Sequence, residues 1–278
     1  MSDLSELALL QNRLRRDDYA AFLAVKRAPA RLRPPLFWLE GFYKEVSDIP
    51  YRVDEPFLAE IRLQWWRDGL DKILRGERLG HPIADGLAPF LTAHGEMLKQ
   101  PLLSVLNSFE AEVMLSPAAT KEAFFARFRC RMGKLLEARF LMAGERDFDV
   151  ELLGGAGVAL GVSETLAHLP RALQKGFPVL PQDVLDRHEL SYEDLVAKEA
   201  EPRFARAYGE MVEGAPVISW DINKRLQGLP FLHRVLLARW VLVPGLLRRA
   251  LADRAAGRVQ LSRQNPLSQF YRLLVLRP

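Results

Sequence analysis

Apolar residues recur along this 278-residue chain at three- and four-residue steps, the spacing that places side chains on one face of a helix. Two such series adjoin in the segment 58–73: Leu58, Ile61 and Trp65, then Trp66, Leu70 and Ile73. No segment sustains the apolar–polar alternation of a half-buried strand. Prolines separate the helical segments, and no stretch has the composition of an interdomain linker. The pattern predicts one all-α domain over residues 1–278, with about eight to ten helices.

The composition argues against a nucleic-acid-binding arm, a zinc site and a targeting peptide. The chain has 49% hydrophobic residues and a net charge of +4, without a Lys/Arg block long enough for a nucleic-acid arm, so we expect no nucleic-acid partner. Cys130 is the single cysteine, and no Cys/His cluster suggests zinc. The first 16 residues lack the apolar core of a signal peptide, and Asp3 and Glu6 are atypical of transit peptides. These features predict a cytoplasmic location.

The segment from Val235 to Leu247 is the most apolar stretch that the sequence pattern singles out. It has 13 residues and contains Arg239 and Pro244, so it is too short and too polar to span a bilayer. Arginines punctuate the Leu- and Val-rich stretches from this region onward: Arg234, Arg239, Arg248, Arg249, Arg254, Arg258, Arg263, Arg272 and Arg277. Amphipathic helices of this kind can dock reversibly on the inner face of a membrane. They are equally compatible with core helices whose arginines reach solvent.

Three segments carry a resemblance to a known family. The first joins FYKEVSDIPY (42–51) to EIRLQWWRDGL (60–70), the second is AGVALGVSETLAHLPRALQKGFPVLP (156–181), and the third is PLSQFYRLL (266–274). In order and spacing they resemble the squalene/phytoene synthase family over nearly the whole chain. The resemblance implies a single isoprenoid-synthase-like helical bundle.

The resemblance also implies a chemistry. Active members join two prenyl diphosphates head to head, and Mg²⁺ neutralises the departing diphosphate. The metal is held by two Asp-x-x-x-Asp motifs on two helices. Spacing of four residues puts both carboxylates of a motif on one helix face, so that the two pairs can face each other across a cavity.

The first motif has lost both of its aspartates. It reads Ser47, Asp48, Ile49, Pro50 and Tyr51, so that Ser47 and Tyr51 stand at the two aspartate positions. Asp48 remains between them, and Lys44 matches the basic residue one turn earlier. Pro50 is expected to break the helix.

The second motif has lost its paired carboxylates as well. Gly161 and Glu164 match the polar pair of the family, and His168 and Ala172 stand at the two aspartate positions. We therefore predict a vestigial site without a metal ion or other cofactor, in which Lys44 and Asp48 face Glu164 and His168 across a cleft. If Mg²⁺ binds at all, Asp48 and Glu164 are its candidate ligands.

Two further groups of residues on these helices suggest structural or functional roles. Trp65 and Trp66 could form a platform for a prenyl cation, although packing in the core is the simpler role for adjacent tryptophans. Small residues at Ala156, Gly157, Ala159 and Gly161 indicate that another helix approaches closely.

Within the family, the chain resembles a divergent branch that includes the mitochondrial complex I assembly factor and its alphaproteobacterial relatives. EIRLQWWR, RRDDYAAFLA (15–24) and the missing aspartate pairs carry this resemblance. It implies a non-catalytic protein that assists assembly of a membrane respiratory complex, complex I, with a membrane protein or a subunit of that complex as partner. One alternative is an active Mg-dependent prenyltransferase acting on farnesyl or geranylgeranyl diphosphate. Another is a module that binds a prenyl lipid without converting it.

Overall fold

The computed structural model describes residues 3–196, 201–214 and 226–242, which form helices and turns without a strand. The predicted all-α fold is confirmed. The α-helices are α1 (Asp3–Asp17), α2 (Tyr19–Lys26), α3 (Arg33–Arg52), α4 (Pro56–Leu74), α5 (Pro82–His94), α6 (Glu96–Asn107), α7 (Glu110–Val113), α8 (Lys121–Phe128), α9 (Lys134–Met142), α10 (Val150–Gln174), α11 (Gln182–Arg187), α12 (Tyr192–Val196), α13 (Glu201–Gly214) and α14 (Phe231–Leu236). These exceed the predicted number because short turns such as α7 are helical too.

Local sequence signals set many of the helix starts. The side chain of Asp18 accepts a hydrogen bond from the backbone of Ala21 at the start of α2, and Asp149 accepts one from Leu152 at the start of α10, both at 3.0 Å. Pro56 opens α4, where a missing backbone N–H costs nothing because the first turn has no internal acceptor for it.

Helix α3 continues through Pro50 to Arg52, so the predicted helix break at Pro50 is wrong. A proline removes one backbone donor, and here it does so only two residues before the helix ends. Arg52 donates a hydrogen bond of 2.9 Å to Asp48, four residues earlier, which ties the last turn to the one before. Val53 then leaves the helix in an extended conformation.

Helix α10 runs through the interior and packs against α8, α9 and the π-helical segment Arg129–Gly133 between them. A Cβ atom on Gly157 would lie 2.3 Å from the backbone nitrogen of Gly133, and one on Gly161 would lie 2.2 Å from the ring of Phe128. The predicted close approach at these small residues is therefore confirmed. Within the described residues, Val150–Leu169 of this helix is the stretch long and apolar enough to cross a membrane, and most of it is buried in the bundle.

The two apolar series of α4 lie on different faces. Trp66, Leu70 and Ile73 are buried in the core. The opposite face carries large apolar side chains that are 41–73% exposed, and we call this group the α4 stripe: Phe57, Leu58, Ile61 and Trp65. Trp65 packs edge-on against Trp66, with ring centroids 5.1 Å apart. Core packing therefore accounts for Trp66 and leaves Trp65 at the surface.

Candidate functional site

A cavity of about 270 Å³ lies inside the bundle, with α3 and α10 on two of its sides. All eight motif positions line it: Lys44, Ser47, Asp48 and Tyr51 on α3, and Gly161, Glu164, His168 and Ala172 on α10. Each set recurs at three- and four-residue steps, which keeps its members on one helix face. The two degenerate motifs thus meet in one place.

Asp48 is buried and surrounded by basic groups. Its carboxylate lies 2.8 Å from the ammonium of Lys44 and 2.9 Å from the guanidinium of Arg52. Arg13 and Arg171 approach the same carboxylate to 3.8 and 3.9 Å. One terminal nitrogen of Arg13 is buried without a hydrogen-bond acceptor. Four side-chain cations therefore stand around the carboxylate of Asp48, and two of them, Arg13 and Arg52, also pair with Glu45.

Glu164 is engaged by a different partner. The buried hydroxyl of Tyr43 donates a hydrogen bond to its carboxylate. Burial, followed by the charge of Glu164, raises the pKa of Tyr43 well above its ordinary value. Tyr43 therefore stays protonated and remains a donor to this carboxylate at all physiological pH values.

Tyr51 stands at the centre of an aromatic group at the ends of α3 and α10. The guanidinium of Arg171 lies over its ring, 4.4 Å from the centroid, and the ring of Phe177 packs edge-on at 4.9 Å. The ring of His168 is 6.4 Å away. Burial raises the pKa of Tyr51 above its ordinary value, so its hydroxyl stays neutral. Phenol and imidazole thus stand where the family motif has carboxylates.

The remaining motif positions carry no side chain that is free to bind a metal ion or transfer a proton. Ser47 donates a hydrogen bond of 3.3 Å back to the carbonyl of Lys44 in its own helix. Gly161 and Ala172 have no polar side-chain atom, and the ring of Phe128 occupies the space beside Gly161.

A buried ion network, which the sequence did not predict, lies beside the cavity. Glu40, on the cavity wall, pairs with Arg139, whose Nε donates a hydrogen bond of 3.1 Å to the carbonyl of Leu236. Arg239 reaches Asp18 at 2.8 Å and Glu40 at 3.3 Å. This network joins α2, α3 and α9 to the last described helical residues.

Arg239 is one of the arginines on which the predicted membrane docking was based. It is held among carboxylates rather than presented to a membrane surface. Arg234 is also described, and its guanidinium lies 5.7 Å from the ring of Phe231. Arg248, the six arginines after it and the PLSQFYRLL segment lie outside the described residues.

Arg131 and Arg127 also line the cavity without having been predicted. The buried guanidinium of Arg131 donates to the carbonyl of Ser108 at 2.8 Å and to Glu112 at 2.6 Å, and it stacks over Phe109 at 3.8 Å. Arg127 donates to the carbonyl of Ser116 at 3.0 Å. These partners are distant in sequence, so helical periodicity gave no signal for them.

The residues at the motif positions do not fit a magnesium centre. Mg²⁺ takes oxygen ligands, usually one or two carboxylates with phosphate and water. Asp48 is already neutralised by Lys44 and Arg52, and Glu164 accepts from Tyr43. No group of three or more His, Cys, Asp or Glu side chains suited to a metal occurs in the described ranges.

Comparisons with known proteins identify the family and the fold of this chain. The model of the family described as squalene/phytoene synthase matches residues 14–268. A crystal structure of a dehydrosqualene synthase in complex with a ligand superposes with a TM-score of 0.78 at 13% identity, covering 99% of this chain and 95% of that one. Squalene synthase HpnC from Alicyclobacillus acidocaldarius gives 0.72 at 19% identity, covering 91% and 94%. At these identities the structures share the fold.

A curated relative is named as an assembly factor rather than as a synthase. The Bos taurus protein "NADH dehydrogenase (ubiquinone) complex I, assembly factor 6" is 24% identical over 186 residues. The match covers 66% of this chain and 56% of the bovine protein. The chain thus spans just over half the length of that relative.

Proposed function

Because this chain belongs to the squalene/phytoene synthase family, we propose that it is a member without condensation activity and that it assists assembly of a membrane respiratory complex, complex I. The observation that carries the first half is the enclosure of Asp48 by Lys44, Arg52, Arg13 and Arg171. A carboxylate neutralised in this way is a poor ligand for a divalent cation, because the cation would be repelled by the four basic groups.

The loss of metal ligands removes the main source of catalysis. Ionising a prenyl diphosphate expels a highly charged anion, and stabilising that charge with bound metal contributes several kcal/mol to the transition state. Ser47, Tyr51, His168 and Ala172 cannot supply the carboxylates. Among the motif positions of α10, Glu164 is the one carboxylate, and it is hydrogen-bonded to Tyr43.

The size of the cavity supports the same conclusion. Head-to-head condensation requires two prenyl chains in one site. The cavity of about 270 Å³ is at the lower limit of ordinary ligand pockets, which run from roughly 300 to 1,000 Å³. A volume below this range supports a site that does not hold two prenyl chains.

The proposed role in assembly takes its support from the relative named as an assembly factor. The partner would be a membrane protein or a subunit of the respiratory complex, and the location would be cytoplasmic, at the inner face of the membrane. The α4 stripe supports a peripheral contact, since it exposes Phe57, Leu58, Ile61 and Trp65 on one helix face. Arg62, exposed beside it, has no carboxylate within ion-pair distance among residues 3–196, 201–214 and 226–242. Apolar and aromatic side chains flanked by arginine are typical of helices that lie at a lipid interface.

Activity is tested by incubating the pure protein with farnesyl or geranylgeranyl diphosphate and Mg²⁺, then extracting C30 and C40 hydrocarbons. We expect no hydrocarbon and no Mg²⁺-dependent release of pyrophosphate, with an active dehydrosqualene synthase as the positive control. Robust product from this chain would establish the active prenyltransferase instead.

Assembly is tested in the organism that encodes the chain. Deleting its gene should lower the amount of fully assembled complex I on a native gel, and the wild-type gene should restore it. A Lys44→Ala/Asp48→Ala variant at the same expression level should restore assembly as well if metal-dependent chemistry is not needed. Normal complex I after deletion would overturn the proposed role.

A further inference from the structure

We propose that a surface pocket between α3, α4 and the start of α5 binds the head of an anionic membrane phospholipid by its single phosphodiester, while the acyl chains lie on the α4 stripe. The pocket is separate from the cavity between α3 and α10, and no described residue lines both. This rests on the proposed contact with a membrane and names the lipid that such a contact would select.

The pocket is small and opens beside the α4 stripe. Its volume is about 190 Å³, below the roughly 300 to 1,000 Å³ of pockets that enclose a whole small molecule, so it can take a head group and leave the rest of a ligand outside. Trp65 belongs both to the pocket wall and to the stripe, so the two surfaces are continuous. The polar and aromatic lining residues are Glu45, Arg52, Arg62, Trp65, Trp66 and His81.

The charged side chains of the wall leave one positive charge without a partner. Two arginines and one glutamate line the pocket. Arg52 lies 2.9 Å from Asp48 and 3.6 Å from Glu45, and Glu45 also accepts a hydrogen bond from Arg13. Arg62 is exposed, and no described carboxylate lies within 4 Å of its guanidinium. A ligand with one negative charge would supply the missing counterion.

Two uncharged N–H groups on the same wall also lack acceptors. Trp66 is only 5% exposed, and its indole N–H donates to no described residue. The Nδ1 of His81 accepts a hydrogen bond of 3.4 Å from the backbone of Ala84, which places the proton of the neutral ring on Nε2. The rings of Trp65, Trp66 and His81 pack at centroid distances of 5.1–5.4 Å, which holds these donors in place. Donors without acceptors suit an anion.

The arrangement of the donors favours a phosphodiester. They come from α3, α4 and the start of α5, so they reach the pocket from several directions. A tetrahedral phosphate presents oxygens in several directions, whereas a carboxylate presents two in one plane. A head that also carries an ammonium would be repelled by Arg62, because Glu45 is already paired with Arg13 and Arg52. A phosphodiester with a neutral remainder, as in phosphatidylglycerol, avoids this repulsion.

The α4 stripe provides the surface for the acyl chains. Its four side chains are 41–73% exposed and follow the pocket along one helix face. Exposed acidic side chains limit the stripe at its ends, Glu55 before Phe57 and Asp68 after Trp65. Arg62 lies between these ends, where it can meet a lipid phosphate while its apolar neighbours enter the membrane interface.

The experiment is calorimetric titration of the full chain with three amphiphiles, each below its micelle concentration. Dihexanoyl phosphatidylglycerol has a phosphodiester and no cation, dihexanoyl phosphatidylcholine adds a quaternary ammonium, and decanoate has a carboxylate head. We expect the phosphatidylglycerol to bind most tightly and the other two to bind about tenfold more weakly or less.

Arg62→Gln should weaken binding of the phosphatidylglycerol about tenfold, the usual effect of losing a charge-assisted hydrogen bond. Arg62→Lys should recover part of this loss, since it keeps the charge without the planar fork. The matched control is Arg31→Gln, because Arg31 is also exposed, has no described carboxylate within 4 Å and lines neither pocket. Arg171→Gln, which alters the cavity between α3 and α10, should leave the affinity unchanged. Circular dichroism would show that the variants are folded.

Three results would overturn the inference. One is equal binding of the phosphatidylglycerol by the wild type and Arg62→Gln. Another is equal affinity for the phosphatidylglycerol and either other amphiphile, since the pocket would then not select the head. The third is loss of binding in Arg171→Gln but not in Arg62→Gln, which would place the lipid in the cavity between α3 and α10.

The gene deletion described above separates this inference from the proposed function. No binding of the phosphatidylglycerol, together with less complex I after deletion, would overturn the lipid site and leave the assembly role standing. Binding of the phosphatidylglycerol, together with normal complex I after deletion, would overturn the assembly role and leave the lipid site.

Discussion

The hydroxyl of Tyr43 on α3 donates a hydrogen bond to the carboxylate of Glu164 on α10, which lies 121 residues further along the chain. The pair joins the two helices that carry the degenerate motifs. Glu164 is the acidic side chain that remains in the second motif, and the hydrogen bond from Tyr43 gives its carboxylate a partner inside the protein.

Replacing Tyr43 by phenylalanine should destabilise the protein. The change leaves the partly buried Glu164 without its donor, which costs about 1–3 kcal/mol. Urea unfolding followed by circular dichroism would measure the change in the free energy of unfolding. Tyr19→Phe is the control, since Tyr19 stacks on Phe22 and has no hydrogen bond through its hydroxyl among the described residues. Equal losses from the two substitutions would contradict the role given to the pair.

Stability should fall in alkaline solution because of the buried tyrosines. Burial raises the pKa of Tyr208, and burial with the charge of Glu164 raises that of Tyr43. In the unfolded chain tyrosine ionises near pH 10, so the folded state holds more protons above that pH. The stabilisation is complete below about pH 10 and is lost as the pH rises towards the folded-state pKa, at about 1.4 kcal/mol per pH unit per tyrosine.

Tyr208→Phe provides the measurement for this pH dependence. The variant loses the hydrogen bond of 2.7 Å from Tyr208 to the carbonyl of Val162, so it should be less stable at about pH 8. Between about pH 10 and 11 its free energy of unfolding should fall less steeply than that of the wild type. An identical slope would show that Tyr208 does not contribute.

Adding one methyl group at Gly157 should be far more harmful than adding it at Gly209. The Cβ of Gly157→Ala would lie 2.3 Å from the nitrogen and 2.6 Å from the Cα of Gly133, which are backbone atoms that cannot rotate away. We expect a loss of about 3 kcal/mol or more. Gly209, within α13, has no atom within 4 Å of that position, so Gly209→Ala should gain about 0.5–1 kcal/mol. Thermal or urea unfolding of both variants tests the contrast.

Arg139→Met should rank among the most destabilising single substitutions. It removes the buried partner of Glu40 and the donor to the Leu236 carbonyl. Breaking a buried ion pair from one side costs about 3–5 kcal/mol, because the other charge stays buried. Arg75→Met, which breaks an exposed pair with Glu77, should change stability by no more than about 1 kcal/mol. Similar values for the two would show that Glu40 finds another counterion, such as Arg239.

The α4 stripe should mediate contact with lipid. Ile61→Glu would place a charge in the middle of its apolar face and should lower flotation with anionic liposomes at low salt. The control is Val150→Glu, because Val150 is similarly exposed but begins α10 instead. If the wild type fails to float, direct lipid contact is excluded, and any membrane role belongs to a protein partner.

Periodicity was sufficient to predict the helices, and the resemblance to the family placed the motif residues on two of them. Lys44 and Asp48 on one helix, and Glu164 and His168 on another, reach the same cavity because each pair is spaced by one helical turn. Periodicity could not tell which of two adjacent apolar faces packs inward. For this reason Trp66 is buried while Trp65, in the other series, is exposed.

The basic side chains of the site were harder to predict. Arg171 follows His168 by three residues on the same helix, so this spacing was a signal that could have been used. Arg127, Arg131 and Arg239 meet the cavity through contacts that depend on the tertiary fold. The helix break predicted at Pro50 was wrong for a simpler reason: a proline near the end of a helix removes only one backbone hydrogen bond and costs little stability.

Arg239 also has a consequence for how the protein is made. Its partners Glu40 and Asp18 precede it by 199 and 221 residues. At about 5–20 residues per second, a ribosome needs roughly 10–40 s to synthesise the 199 residues between Glu40 and this arginine. Throughout that time the nascent α3 carries a carboxylate whose buried site is incomplete. The ion network beside the cavity is therefore completed only after Arg239 has been translated, and a chain truncated before this residue would leave it open.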